Sequence, residues 1–333
     1  MIRNILISVC FVLALCAIPW IGVSFGMYAV FGILIPYLAG SILLAGIIYR
    51  VISWAKAPVP FRIPTTGGQQ KSLPWIKANN LENPTNTFGI IGRMLLEILL
   101  FRSLFRNSRA GLLDDKRITY TGSRWLWVFG LMFHYSFLII LLRHLHFFLQ
   151  PIPVIVKLVT SLDGVFDILL PTIYLSDIAF LFCVTFLFLR RVVLPKIRYI
   201  SLVSDYFALL LLATIAISGI LMRNVFKVDL YSVKQLAVGL FSFSPGLYET
   251  IGVVFYIHLF CVCILAAYFP FSKLMHMAGI FLSPTRNLAN TNRMKRHVNP
   301  WDYPVQTHSY EEYEDEFRDK MLSAGIPLDK EGE

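Results

Sequence analysis

Apolar runs long enough to cross a lipid bilayer recur along this chain, and no other feature limits its folding so severely. A hydrocarbon core of ~30 Å needs about 20 helical residues that are mostly apolar. The windows Ile5–Trp20, Val30–Ile52, Leu126–Leu142, Ile173–Leu189, Phe207–Met222 and Ile251–Phe271 approach or exceed that length with few charges. The chain has 333 residues, 56% hydrophobic and 15% charged, a balance too apolar for a soluble domain of this length. Within lipid each backbone N–H and C=O must be satisfied by the protein itself, which for such segments means a helix. The expected fold is therefore all-α and integral to the membrane, a bundle of six transmembrane helices with a cytoplasmic loop and tail. The first run lacks a convincing small-residue cleavage site and a second span follows directly, so it reads as a retained helix and not a signal peptide.

A net charge of +10 invites comparison with nucleic-acid binders, but its distribution argues for a membrane. With the amino terminus in the cytoplasm, only Arg143, Lys157, Arg223, Lys227 and Lys234 among the 30 lysines and arginines fall outside the cytoplasmic segments. This positive-inside bias sets the orientation, with both termini cytoplasmic and the chain in the inner membrane. No nucleic-acid partner is expected. The five cysteines, Cys10, Cys16, Cys183, Cys261 and Cys263, all lie in spans without metal-type spacing and read as small core residues.

Four regions follow: residues 1–54 with two helices, a cytoplasmic segment 55–124, a core 125–277 with four helices, and a tail 278–333. Within the second, "KAPVPFRIPTTGGQQKSLPW" is irregular, while "NTFGIIGRMLLEILLFRSLFRNSR" has helical apolar spacing with charges between. It suits either a helix in the inner headgroup layer or one that docks a partner. Two outer segments, after Leu149 and after Arg223, suit short amphipathic caps. The tail turns from basic to acidic and carries Trp301, Tyr303, Tyr310 and Tyr313, as a segment ordered against a soluble partner would.

Into this apolar background the sequence "MFHYSFLIILLRHLHFF" places an arginine and three histidines. Ionisable residues in a span are costly, face the bundle interior and usually have a role. His134 and His144 lie on the third helix, His258 and His276 on the sixth. Because the two helices run in opposite directions, His134 and His276 both lie toward the cytoplasm, and His144 and His258 both lie toward the outside. Two imidazoles opposed at one depth can clamp a planar macrocycle through both axial positions. Zinc instead wants four tetrahedral ligands, often with sulfur. No C-x-x-C-H is present, so the expected cofactors are two non-covalent b-type hemes, with the four histidines as axial iron ligands. Iron with two axial histidines keeps no open position for substrate and carries electrons.

The spacing strains this reading. Ten residues separate His134 from His144, about 15 Å of helix, whereas 18 separate His258 from His276, about 27 Å. A break at Pro270 can absorb the difference. His146 is a rival to His144, roughly 160° further around the helix. Alternatively, the histidines bond between the helices of a non-redox anchor or transporter.

The H-x9-H and H-x17-H spacings resemble the gamma subunit of respiratory nitrate reductases, a diheme cytochrome b with five spans where six are expected here. Beyond the spacings, "FHYSFLIILLRHL", "LSPTRNLANTN" and "RHVNPWDYP" resemble the DsrM cytochrome b family of the DsrMKJOP complexes of sulfate-reducing and sulfur-metabolising microbes. That resemblance implies the same four ligands and menaquinone as substrate. It also implies a cytoplasmic iron–sulfur partner (DsrK-like) related to heterodisulfide reductase, and further membrane and periplasmic subunits. A related alternative is the diheme subunit of a membrane heterodisulfide reductase or Hme-type complex.

For quinol near the outer pair, Arg143 is the candidate hydrogen-bond donor, with a heme propionate or the headgroups as its other possible partners. Asp163, Asp167 and Asp177 are the outer acids, and Asp177 is the candidate proton acceptor or else a helix cap. Lys273 and Arg124 are candidates for neutralising inner propionates.

Overall fold

The computed structural model describes residues 2–57, 68–106, 109–114, 116–164, 173–246, 251–295, 304 and 306–329. In chain order the helices are α1 (Ile2–Ser24), α2 (Ile35–Ala55), α3 (Thr87–Leu100), α4 (Arg102–Phe105), α5 (Arg124–Phe148), α6 (Val154–Asp163) and α7 (Leu175–Val193). They continue with α8 (Pro195–Ile200), α9 (Val203–Asn224), α10 (Leu230–Phe241), α11 (Val253–Tyr268), α12 (His276–Leu282), α13 (Pro284–Asn287) and α14 (Tyr310–Ser323). Between α4 and α5, β1 (Arg109–Leu112) pairs antiparallel with β2 (Ile118–Thr121). This hairpin departs from the all-helical expectation.

Among the described residues five helical stretches are long and apolar enough to cross a membrane: α1, Val30–Ala55 (α2 with the π turn before it), α5, α9 and Val253–Phe271. The sixth expected span is α7, 19 residues or about 28 Å long, but Asp177, Arg190 and Arg191 make it more polar than the other five. It still lies inside the bundle, packed on α5 and α9. Around it, α5 packs on α10, and α11 packs on α1, α2 and α9.

Small residues and backbone carbonyls let these helices approach closely, as helices in lipid do. Ser8 Oγ donates across the bundle to the Val203 carbonyl (3.0 Å), and Tyr37 donates to the Leu240 carbonyl (3.0 Å). Large apolar side chains such as Phe11, Leu13, Leu44, Ile48 and Leu138 face outward. That is the inverse of a soluble surface and suits lipid.

The helix that carries His258 breaks where Pro270 requires it. After Tyr268 the chain makes two 3-10 turns, Phe269–Phe271 and Lys273–Met275, and His276 opens α12. Proline removes one helical hydrogen bond and its ring collides with the preceding turn. From α2, Arg50 Nε donates to the Pro270 carbonyl (3.1 Å), and Gly46 lies flat against the proline ring. A Cβ at Gly46 would meet Pro270 Cβ at 2.7 Å and Cγ at 2.8 Å. Gly46→Ala is therefore expected to cost about 1–3 kcal/mol by overpacking, read as a lower unfolding temperature of the detergent-solubilised protein. Gly22→Ala, at a still closer contact with the Phe31 ring, makes a comparison outside the kink.

In the long connection between α2 and α5, α3 starts at Asn86, whose side chain accepts from Gly89 N (2.8 Å) as an N-cap. Its apolar stripe, Phe88, Ile91, Leu95 and Leu99, is exposed, whereas Arg93 and Glu97 are buried on the other face. The buried face meets the segment after α12. Arg93 donates to the carbonyls of Glu82 (2.8 Å), Arg286 and Leu288 (3.3 Å). Arg286 pairs with Glu97 (3.2 Å), and Asn290 Nδ2 donates to Asn83 Oδ1 (2.7 Å). Burial, then the positive charge of Arg286, holds the Arg93 pKa below the ordinary guanidinium value. The stretch "LSPTRNLANTN" is thus tied back onto α3. Of the tail aromatics, Tyr310 and Tyr313 lie on α14, and Trp301 and Tyr303 lie outside the described residues, as does most of "RHVNPWDYP".

Candidate functional site

α5 meets α11 and α12 so that its two histidines each face one from the returning chain, His144 opposite His258 of α11 and His134 opposite His276 of α12. The ring centres of His144 and His258 lie 6.4 Å apart with planes 10° from parallel. Those of His134 and His276 lie 5.9 Å apart with planes at 84°. Two imidazoles that share one metal axially have ring centres roughly 6 Å apart, since each metal–nitrogen bond is about 2 Å and the ring centre lies about 1 Å further back. Both pairs meet that spacing.

The hydrogen bonds fix which nitrogen each ring presents. His134 Nδ1 lies 2.7 Å from the Gly130 carbonyl, His144 Nδ1 2.7 Å from the Ile140 carbonyl, and His276 Nδ1 2.9 Å from the Lys273 carbonyl. A carbonyl only accepts, so each Nδ1 carries the proton and donates. His258 Nδ1 meets Ser218 Oγ (2.9 Å), whose own hydroxyl donates to the Ile215 carbonyl (3.0 Å). With Nδ1 protonated, Nε2 keeps its lone pair for a metal, the usual state of a coordinating histidine held by a further hydrogen bond. All four rings share this state, so the donor set fits iron held between opposed imidazoles. Among the described residues no cluster of three or more His, Cys, Asp or Glu could hold a bare metal ion.

Gly219 lies beside one of these rings, where a Cβ would be in van der Waals contact with His258 Cε1 at 3.4 Å. His146 is exposed, and the ring that faces His258 is that of His144. The mismatch between the two sequence separations is absorbed by the break after Pro270, where extended Ser272 between the two 3-10 turns redirects the chain and brings His276 beside His134 although five helical turns would have carried it past.

Beside the outer pair, Arg143 is 9% exposed and does not reach for headgroups. It pairs with Asp163 (3.1 Å) and with Asp177, and its guanidinium lies 3.6 Å from the centre of the Tyr174 ring. Arg223 approaches the same ring at 4.0 Å, a cation–π arrangement. Helix capping belongs to Asp163 and not to Asp177. Its carboxylate accepts from Ser176 N (2.8 Å) and Ser176 Oγ (2.6 Å) at the start of α7. Asp167 lies outside the described residues. Lys273, a candidate for an inner propionate, pairs with Asp205 (2.8 Å). Arg124 is the first residue of α5.

Sequence reasoning passed over Ser218, Tyr174 and Phe101, whose ring meets His134 edge to face at 4.8 Å. Ser218 carried the better signal, being a small polar residue inside a span, where a polar group seeks a partner.

The sequence profile of the nitrate reductase gamma subunit family matches residues 94–296. That stretch takes in all four histidines and begins after α2. The chain is also 46% identical, over 280 residues, to an "Hdr-like menaquinol oxidoreductase cytochrome b-like subunit" of Archaeoglobus fulgidus, covering 82% of this chain and 83% of that protein. A protein of the same description from Archaeoglobus profundus is 43% identical over 276 residues, covering 80% and 81%.

Proposed function

The chain belongs to the nitrate reductase gamma subunit family, and from that premise we propose that it is a membrane electron-transfer subunit holding two b-type hemes. The observation that carries the proposal is the pair of opposed imidazole couples at 6.4 and 5.9 Å, each ring with Nδ1 occupied and Nε2 free to bind. His144 and His258 would hold the outer heme, His134 and His276 the inner one. When bound, the hemes supply single-electron carriage between the two depths. The protein fixes the imidazoles, excludes water and places charges beside them.

The substrate in this reading is menaquinol, as in the names of the two relatives. It binds on the outer side near His144. There Arg143 and Asp177 form an ion pair next to an axial ligand, a donor and an acceptor of the kind a quinol hydroxyl requires. Electrons leave on the inner side to a soluble iron–sulfur subunit in a complex of DsrMKJOP or heterodisulfide-reductase-like type. The positive-inside distribution supports the cytoplasmic membrane with both termini inside. The names of the relatives favour the heterodisulfide-reductase-like form of such a complex.

The test is a reduced-minus-oxidised spectrum of the purified protein, first with dithionite and then with a reduced menaquinone analogue. Two b-type contributions with dithionite, both reached with quinol, are expected. A spectrum without b-type bands removes the heme assignment, and reduction by dithionite alone removes the quinol.

A further inference from the structure

At the junction of α3 and α4, Phe101 adopts φ 48° and ψ 45°, the left-handed region that a bulky side chain rarely occupies without a compensating reason. Four hydrogen bonds and one ring contact hold it there. Trp127 Nε1 donates to the Leu100 carbonyl (2.6 Å), and Tyr135 donates to the Leu99 carbonyl (3.0 Å). Glu97 accepts from Ser103 N (3.0 Å) and from the Ser103 hydroxyl, and Phe105 packs edge to face on Trp127 at 4.9 Å. Trp127 and Tyr135 both belong to α5, so this helix holds the turn by its carbonyls on either side of His134. What the turn delivers is the Phe101 ring, 4.8 Å from His134 with planes at 84°. Phe133 stands on the same imidazole at 5.0 Å and 80°.

We propose that Phe101 is a positioning residue for the inner axial imidazole: it holds His134 crosswise to His276 where the outer pair lies parallel. The proposal rests on the heme reading above. Rotation about the bond from the ring to iron is the one freedom an axial imidazole retains. The Nδ1 bond to Gly130 restrains it, and so does the Phe101 ring packed crosswise to it at 4.8 Å. The inner planes cross at 84°, the outer ones at 10°. The angle between axial planes governs how far the iron d orbitals split, so crossed and parallel pairs give distinct low-spin electron paramagnetic resonance signals. Crossed planes give the more anisotropic one, with the larger g-max. Glu97 also pairs with Arg286, so the tail segment and the inner imidazole share one set of contacts.

The experiment uses the oxidised full-length protein and two variants. Phe101→Gly removes the ring but favours the left-handed backbone, so the turn keeps its shape. Phe101→Tyr keeps the ring edge. In the wild type one anisotropic and one more rhombic low-spin signal are expected. Phe101→Gly should retain both hemes by absorbance, lose the anisotropic signal in favour of a smaller g-max, and leave the other signal unmoved. Phe101→Tyr should restore the wild-type pattern. A Phe101→Gly protein with unchanged signals, an equal disturbance of both signals, or failure of Phe101→Tyr to restore the first would each overturn the proposal. A wild type without any low-spin heme signal would instead remove the heme reading on which it stands.

Discussion

Replacing His134 and His258 together with alanine is expected to abolish the b-type absorbance of this protein, and each single replacement to abolish the contribution of one heme. Each change removes one of the two nitrogens held at an iron-spanning distance, and among the described residues no other histidine ring faces the one left behind. His146 is exposed on another face of α5, and its ring neighbour is Phe147 at 5.8 Å. The paired design makes the prediction specific by depth. His258→Ala and His144→Ala should remove the same signal, and His134→Ala and His276→Ala the other. Redox titration of the four single variants, each resolved into components, checks this. A variant set in which the losses pair differently, or b-type bands that survive the double replacement, would sink the assignment. Ser218→Ala gives a graded version, because loss of an outer hydrogen bond on a metal-bound histidine typically weakens binding 10–100-fold, here for the outer heme alone.

The second large effect concerns Arg143. Its guanidinium is buried between Asp163 and Asp177 and stacked on Tyr174. Arg143→Ala leaves two carboxylates in a low-dielectric setting with their counter-charge gone. Removing one member of a buried ion pair costs about 3–5 kcal/mol, and here the carboxylate that caps α7 loses its partner as well. The expected result is a large fall in unfolding temperature in detergent, together with loss of quinol-dependent heme reduction. Asp177→Asn in the Arg143→Ala background should recover part of the stability by removing one unpaired charge. It should not recover quinol reduction if the ion pair serves the substrate. Arg143→Lys should recover little, since an ammonium can neither contact two carboxylates as a planar fork nor stack on a ring in the same way. A stability unchanged by Arg143→Ala would show that the charges are well hydrated and remove the basis of this reasoning.

Much of the site was legible because the bilayer makes polar residues conspicuous. In an apolar helix an imidazole or guanidinium must be accommodated at a cost, so His134, Arg143, His144 and His258 stand out by type alone. Opposite helix directions then sort the histidines by depth. Less visible was the knot of Glu82, Asn83, Arg93, Glu97, Arg286 and Asn290, because its members look like ordinary charged and amide residues of a cytoplasmic surface. Their burial depends on two segments nearly 200 residues apart meeting, and a lone Arg93 carries no sign of it. The charged face of α3 is a related case. The apolar face of this helix is the exposed one and the charged face is buried, the reverse of a helix docked on a soluble core.

Length, apolarity and charge bias determined that this chain forms a helical membrane bundle, since lipid leaves few other ways to satisfy a backbone. Residue type determined which side chains are candidates for the chemistry. Tertiary structure decided which ring faces which. His276 reaches His134 because the break at Pro270, braced by Gly46 and Arg50, shortens a path that a continuous helix would have made too long. It also decided that the inner planes cross while the outer ones run parallel. Ring orientation depends on neighbours such as Phe101 and Ser218, which come from other elements, and helical periodicity holds no record of them.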